Sequence, residues 1–236
     1  MKNLWNCWLI FYDKIINPGV YSEIFKGLGN TMYIAVIGLV IGIAVGTLIA
    51  VVKVIPKYSK VARILDKICT VYVAFFRGTP MVVQLLVGYY VILPLTGLSV
   101  NSLNVCVLIF GLNSGAYVSE IMRGGIMSVD IGQMEAGRAL GLSYGVSMIK
   151  IVIPQAIKNI LPTLGNEFIT LVKETAVVSF VGAFDLYKAF TNIGSSTYEY
   201  KMPYFAMAIV YIVLVLIISL GIKAMERRLR KSDRRN

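Results

Sequence analysis

Along this 236-residue chain, long apolar stretches alternate with short segments dense in Lys and Arg. A bilayer core of about 30 Å takes about 20 apolar residues of helix to cross. On that measure residues 31–52, 100–122 and 205–222 read as membrane-spanning helices. Residues 68–93 are as apolar but are interrupted by the sequence Phe76-Arg-Gly-Thr-Pro80, and residues 160–184 hold Glu167, Lys173 and Glu174 inside otherwise apolar sequence. The pattern predicts an all-α, polytopic membrane protein of about five spans. The apolar run Trp8 to Tyr12 is too short for a secretory leader, and no small-residue cleavage site follows it.

The cations then orient the spans. Sixteen of the 23 Lys and Arg lie in residues 53–67, 123–158 and 223–236, which the five-span pattern puts on one side. Five lie on the other side (Lys2, Lys14, Lys26, Lys188 and Lys201), and Arg77 and Lys173 fall within spans. Positive charge concentrates on the cytoplasmic side of membrane proteins. The expectation is an N-terminus outside the cell membrane and a C-terminus in the cytoplasm.

Composition narrows the function. With 57% hydrophobic residues, mean hydropathy is +0.75, too apolar for an ordinary soluble domain. The net charge of +11 clusters at membrane edges, which favours headgroup anchoring over nucleic acid. There is no histidine, so the commonest general base and zinc ligand is missing. Cys7, Cys69 and Cys106 are isolated in apolar context and suggest neither a disulfide framework nor a metal set. No G-x-x-x-x-G-K-[ST] run occurs, so the chain has no phosphate-cradling loop of its own. These absences count against a hydrolase or metalloenzyme without excluding one, and no catalytic residue, metal set or cofactor site stands out in the sequence.

Between two spans, residues 123–158 form a long patterned loop. Asp130 and Gln133 have the spacing of a capping box. Helix formers follow, and Gly141 stands where a left-handed residue ends a helix. Ser143 can cap a second helix reaching about Lys150, and Pro154 opens a third or marks a kink. Ala136, Gly137, Ala139 and Gly141 leave a surface on which another protein can pack closely. On periodicity alone, an amphipathic hairpin lying on the bilayer fits equally well.

The sequence from Glu135-Ala136 through Gly141 to Ile151-Val-Ile-Pro154 resembles the EAA loop of permease subunits of binding-protein-dependent ABC importers. It departs at Gly137, where that loop has Ala, and at Ile153, where it has Leu. The change at Gly137 should loosen the helix by about 0.5–1 kcal/mol. The blocks FRGTPMVVQLL, NSGAYVSEIMRGGI and PQAIKNILPTLGNEFITLVKETA, with the terminal ERRL, look like the polar amino acid permease family, which serves histidine, arginine, glutamine and glutamate.

The resemblance covers residues 27–229 and implies a type I importer permease fold with a cytoplasmic coupling helix. It also implies a second permease copy or paralogue, two ATPase subunits that bind ATP and Mg, and an extracytoplasmic amino-acid-binding protein. Glu135, Ala136, Ala139, Leu140 and Gly141 would then couple ATPase closure to the spans. Residues 1–26 are left as an extracytoplasmic segment and 230–236 as a basic cytoplasmic tail. The alternative is a self-powered secondary transporter or channel, against which the lack of an internal repeat counts.

Charges inside a membrane are costly and are functional candidates by default. The resemblance places Glu167 on the substrate cavity, accepting an ammonium or cationic side chain; an interhelical pair, with Arg77 as candidate partner, is the other reading. Asn113 and Ser114 either bind the substrate's α-carboxylate and amine or join helices. Asp185, at the outer end of its span, is a candidate for the mouth of the path. Arg77, Lys173 and Glu174 are structural or gating charges, each in need of a counter-charge.

Overall fold

The structure, a computed structural model, describes residues 4–15 and 18–233, without the side chains of 4, 18 and 230–233. Lys2 and the last residues of the basic tail, 234–236, lie outside the described residues. Most of those described are helical, and they include no strand. In order they form α1 (Leu4–Ile15), α2 (Pro18–Val54), α3 (Lys60–Gly78), α4 (Met81–Val87), α5 (Leu93–Leu95) and α6 (Ser102–Met127). There follow α7 (Ile131–Ala139), α8 (Tyr144–Ser147), α9 (Ile153–Glu174), α10 (Leu186–Thr197) and α11 (Lys201–Asp233).

Among the described residues, α2, α6 and α11 are each long and apolar enough to cross a bilayer, and the broken pair Lys60–Gly78 and Met81–Leu95 makes a fourth candidate. The fifth stretch, 160–184, does not reach that standard. Its α-helix ends at Glu174, and Thr175–Val181 continue as a 3₁₀ helix to Gly182 in the left-handed region at φ 74°. The charges that made this stretch interesting also dilute its hydropathy.

Prolines set the breaks. Pro80 lacks an N–H and disfavours helix at Thr79, so α3 stops at Gly78 and α4 begins beyond the proline. Elsewhere the chain stays helical by widening. A π turn at Gly88–Ile92 contains Tyr90, whose carbonyl would have bonded to the N–H that Pro94 lacks. A second π turn, Met148–Val152, contains Lys150, which stands in the same relation to Pro154. The second loop helix therefore does not end near Lys150 but runs through this turn into α9.

The chain divides into two compact units. The first comprises Met1–Gly38, Thr79–Gly111 and Thr170–Ile217. Its core gathers Phe11, Leu186, Phe190 and Ile193, packed by Ile24, Leu28 and Met207. Outside the spans, Leu186, Ala189, Phe190, Ile193 and Gly194 are buried along one face of α10. That spacing of i, i+3, i+4, i+7 and i+8 is an amphipathic helix pattern.

The second unit comprises Leu39–Gly78, Leu112–Ile169 and Ile218–Asn236. Val118, Ala156, Ile160 and Leu164 form one cluster in it; Ile49, Val73 and Ala116 form another, with Tyr72 and Phe76 against it. Here α2 and α6 pack closely through glycine. A Cβ on Gly42 would stand 2.7 Å from Ser114 Oγ, and one on Gly46 2.7 Å from Val118 Cβ. Without a hydrophobic drive between helices in lipid, such backbone approach is what holds spans together.

Candidate functional site

The loop helix α7 is fixed at both ends by its own sequence. Asp130 caps it, Oδ1 accepting from Gly132 N at 2.8 Å. Gln133 does not complete the capping box: its Oε1 accepts from Gln155 Nε2 at 3.2 Å, tying α7 to α9. At the other end, Gly141 has φ +82°; its N–H donates to Arg138 O at 3.0 Å, and Leu142 N–H donates to Gly137 O at 3.1 Å. This pair of bonds is the Schellman closure that needs a left-handed residue at Gly141. Ser143 then caps α8, its hydroxyl accepting from Val146 N at 3.4 Å.

Between these ends, Glu135, Ala136, Ala139, Leu140 and Gly141 are all exposed. Leu140 is 83% exposed, and Ile131 and Ile149 also lie open, so the face sets apolar and small, close-packable residues beside the Glu135 carboxylate. Gly137 is not part of it. It is buried against α8, where a Cβ would stand 2.7 Å from Ser147 Oγ and 2.9 Å from Ile151 Cδ1. The expected loosening at Gly137 is thus only half the account, because Ala would regain helix propensity yet crowd this contact.

The second candidate region lies within the second unit, where α3, α6 and α9 meet. Ser114 is fully buried, and its hydroxyl donates to Glu167 Oε1 at 2.9 Å. Asn113, also buried, donates through Nδ2 to Phe76 O at 3.5 Å, close to the end of α3, where helix carbonyls lose their intrahelical donors. The Arg77 guanidinium lies 5.5 Å from the centre of the Tyr117 ring. Gly165 lets α11 approach, since a Cβ there would stand 2.7 Å from Ile222 Cγ1. Glu167 thus projects from a stretch of α9 held by α6 on one face and α11 on another. Chemically this is a partly buried carboxylate steadied by a buried hydroxyl. Such a group accepts a cation through charge-assisted hydrogen bonds.

The remaining charged candidates belong to the first unit. Asp185 is fully buried and is the N-cap of α10, Oδ1 accepting from Lys188 N at 2.9 Å and Oδ2 from Tyr187 N at 3.2 Å. Capping, rather than an open mouth, is the role that this geometry supports. Next to it, Asn30 Nδ2 donates to Phe184 O at 2.7 Å and Leu186 N donates to Thr31 Oγ1 at 3.2 Å, so the turn is bolted to α2. Lys173 is exposed, whereas Glu174 is partly buried at the end of α9.

Two polar constellations escaped the sequence reading. Glu120 receives Lys53 Nζ at 3.0 Å on Oε1, and Arg123 Nη2 at 2.8 Å and Nε at 3.1 Å on Oε2. The Glu-x-x-Arg spacing within α6 was legible as an i, i+3 pair, but Lys53 is 67 positions away. Gln84, buried in α4, donates through Nε2 to both Thr79 O and Thr79 Oγ1 at 2.9 Å, closing the helix break from the far side. The glycine spacing 38, 42, 46 was itself a readable signal of close helix packing.

Residues 38–231 match the family described as binding-protein-dependent transport system inner membrane component, and the chain belongs to that family. It is a multi-pass membrane subunit of an ABC importer, of the kind that does not itself hydrolyse ATP. It is 40% identical over 210 residues to the arginine transport system permease protein ArtQ of Bacillus subtilis (strain 168), covering 89% of this chain and 94% of that protein. It is 37% identical over 219 residues to a putative glutamine transport system permease protein GlnP of Rickettsia felis, covering 93% and 95%. A crystal structure of an amino acid ABC transporter with histidines superimposes with a TM-score of 0.81 at 39% identity, covering 88% of this chain and 94% of that one. An inward-facing MetNI methionine ABC transporter shares the fold at 18% identity, with a TM-score of 0.75 over 90% of this chain and 99% of that one.

Proposed function

We propose that this chain forms the translocation path for a polar L-amino acid in an ATP-driven importer. The observation that carries this reading is the exposed face of α7, with Glu135, Ala136, Ala139, Leu140 and Gly141 presented on a helix whose two ends are locked by local bonds. A rigid, close-packable element suits the transmission of a partner's rigid-body closure. Two ATPase subunits per complex bind ATP and Mg, one docking on this face of each permease. A second copy of the chain, or a paralogue, completes the path, and an extracytoplasmic binding protein delivers the substrate. The N-terminus lies outside and the C-terminus in the cytoplasm.

For the substrate, the names of the relatives point to arginine, glutamine and similar amino acids. Glu167, steadied by Ser114, supplies a partner for an ammonium or cationic side chain, and Asn113 is a further substrate-binding candidate. The test is ATPase activity of the complex reconstituted with its binding protein, measured across the twenty amino acids. Stimulation by one or a few polar amino acids is expected, with the purified chain alone silent. ATP hydrolysis by the chain alone, or uptake by it driven by an ion gradient, would overturn the reading.

A further inference from the structure

In the second unit, a cavity of about 450 Å³ is lined by Lys53, Lys57, Arg123, Asp66, Thr70, Val54, Ile126 and Met127. We propose that it binds the headgroup of one anionic phospholipid, the phosphodiester meeting Lys53, Lys57 and Arg123.

The charges are built for one such group. Glu120 holds Lys53 and Arg123, and Asp66 Oδ2 holds Lys57 Nζ at 2.6 Å. Three cations against two carboxylates leave one positive charge, which a single phosphodiester neutralises. The carboxylates also orient the cations without exhausting them. An ammonium has three donors, and Lys53 spends one on Glu120 while its side chain is only 13% exposed. The Arg123 Nη1 faces Met127 Sδ at 2.9 Å, a weak acceptor that a phosphate oxygen readily replaces.

Position favours a lipid over a soluble phosphate. Lys53 is the penultimate residue of the span Gly19–Val54, and Arg123 lies four residues from the end of Ser102–Met127. The cavity therefore sits where two apolar helices reach headgroup depth. Val54, Ile126 and Met127 give it an apolar wall, and the exposed Leu48 and Val51 continue along α2 toward the apolar centre of the span, where acyl chains lie. Basic pockets between spans on the cytoplasmic side take anionic headgroups. The same cations belong to the segments whose charge predicts that side.

The experiment titrates the intact permease–ATPase complex, in uncharged detergent, with phosphatidylglycerol and separately with phosphatidylcholine, reading bound lipid by native mass spectrometry. Phosphatidylglycerol should be preferred. Lys57→Gln combined with Thr70→Val, which removes a cation and a hydroxyl from the lining, should weaken it by at least about tenfold, the scale of the charge-assisted hydrogen bond alone. Lys57→Arg should retain it, and Lys223→Gln, a charge outside the cavity, should leave it unchanged. Equal binding of the two lipids, or an equal loss in the Lys223 variant, would overturn the site. Displacement of phosphatidylglycerol by excess inorganic phosphate would overturn the lipid assignment. The complex's melting temperature in phosphatidylcholine, expected to be unchanged by the double variant, separates lost binding from lost folding.

Discussion

Glu167 and Asp185 are two acids near the membrane that the sequence treats alike and the fold separates. Glu167 has Ser114 donating to Oε1 on a partly buried carboxylate. Glu167→Gln keeps size and an acceptor for Ser114 but removes the charge. If a substrate cation binds there, the loss should be about 1.5–3 kcal/mol, or roughly ten- to a hundred-fold in transport KM. Binding-protein affinity should not change, because that site is on another polypeptide. Unchanged KM with a lower melting temperature would assign Glu167 to the helix interface instead. Asp185 should behave in the opposite way. Both its oxygens receive backbone N–H groups of α10, so Asp185→Ala should cost about 1 kcal/mol of stability, seen as a lower melting temperature, with KM unaffected. Asp185→Asn, with one acceptor oxygen in place of two, should retain part of it. A selective change in KM for cationic substrates in Asp185→Asn would return that residue to the path.

At the scale of elements, what could be read from sequence was what is decided locally. The Asp130 cap, the left-handed Gly141, the Ser143 cap and the break at Pro80 each depend on neighbours a few residues apart, and all four are present. What escaped was decided through space. Gln133 turns to Gln155 rather than to its own cap, Lys53 reaches Glu120, and Gly137 is a contact point for Ser147 rather than a weakened alanine. Helix α10 is a different case: its 3–4 periodicity is local and legible, although at 12 residues it is too short to span a bilayer. The coupling assignment is testable at Gly141. Within this chain nothing lies within 4 Å of an added Cβ, so packing does not forbid a side chain there. The left-handed φ costs a non-glycine residue about 1–2 kcal/mol, and the turn is exposed on the proposed docking face. Gly141→Asp should therefore fold with a modest loss of stability but fail to co-purify with the ATPase. Normal docking and transport in that variant would remove α7 from the coupling role.

For the molecule as a whole, orientation is the property on which both the docking face and the lipid cavity depend. Sixteen cations against five give it a direction, and the physical cause is the bias of positive loops toward the cytoplasm. Two exposed positions on opposite sides of that pattern test it. Tyr58, 91% exposed, lies between α2 and α3 in the basic linker, and Leu98, 65% exposed, lies beyond α5 on the way to α6. The native Cys7, Cys69 and Cys106 must first be replaced so that each new thiol reports alone. In intact cells a membrane-impermeant maleimide should label Leu98→Cys and spare Tyr58→Cys; in inside-out vesicles the pattern should invert. Both probes sit on short connections rather than in packed helix, so neither substitution should disturb the fold. Labelling of Tyr58→Cys from outside would reverse the membrane assignment. It would put the exposed face of α7 beyond the reach of any cytoplasmic ATPase and the cavity around Lys53 in the wrong leaflet for the anionic lipid proposed to fill it.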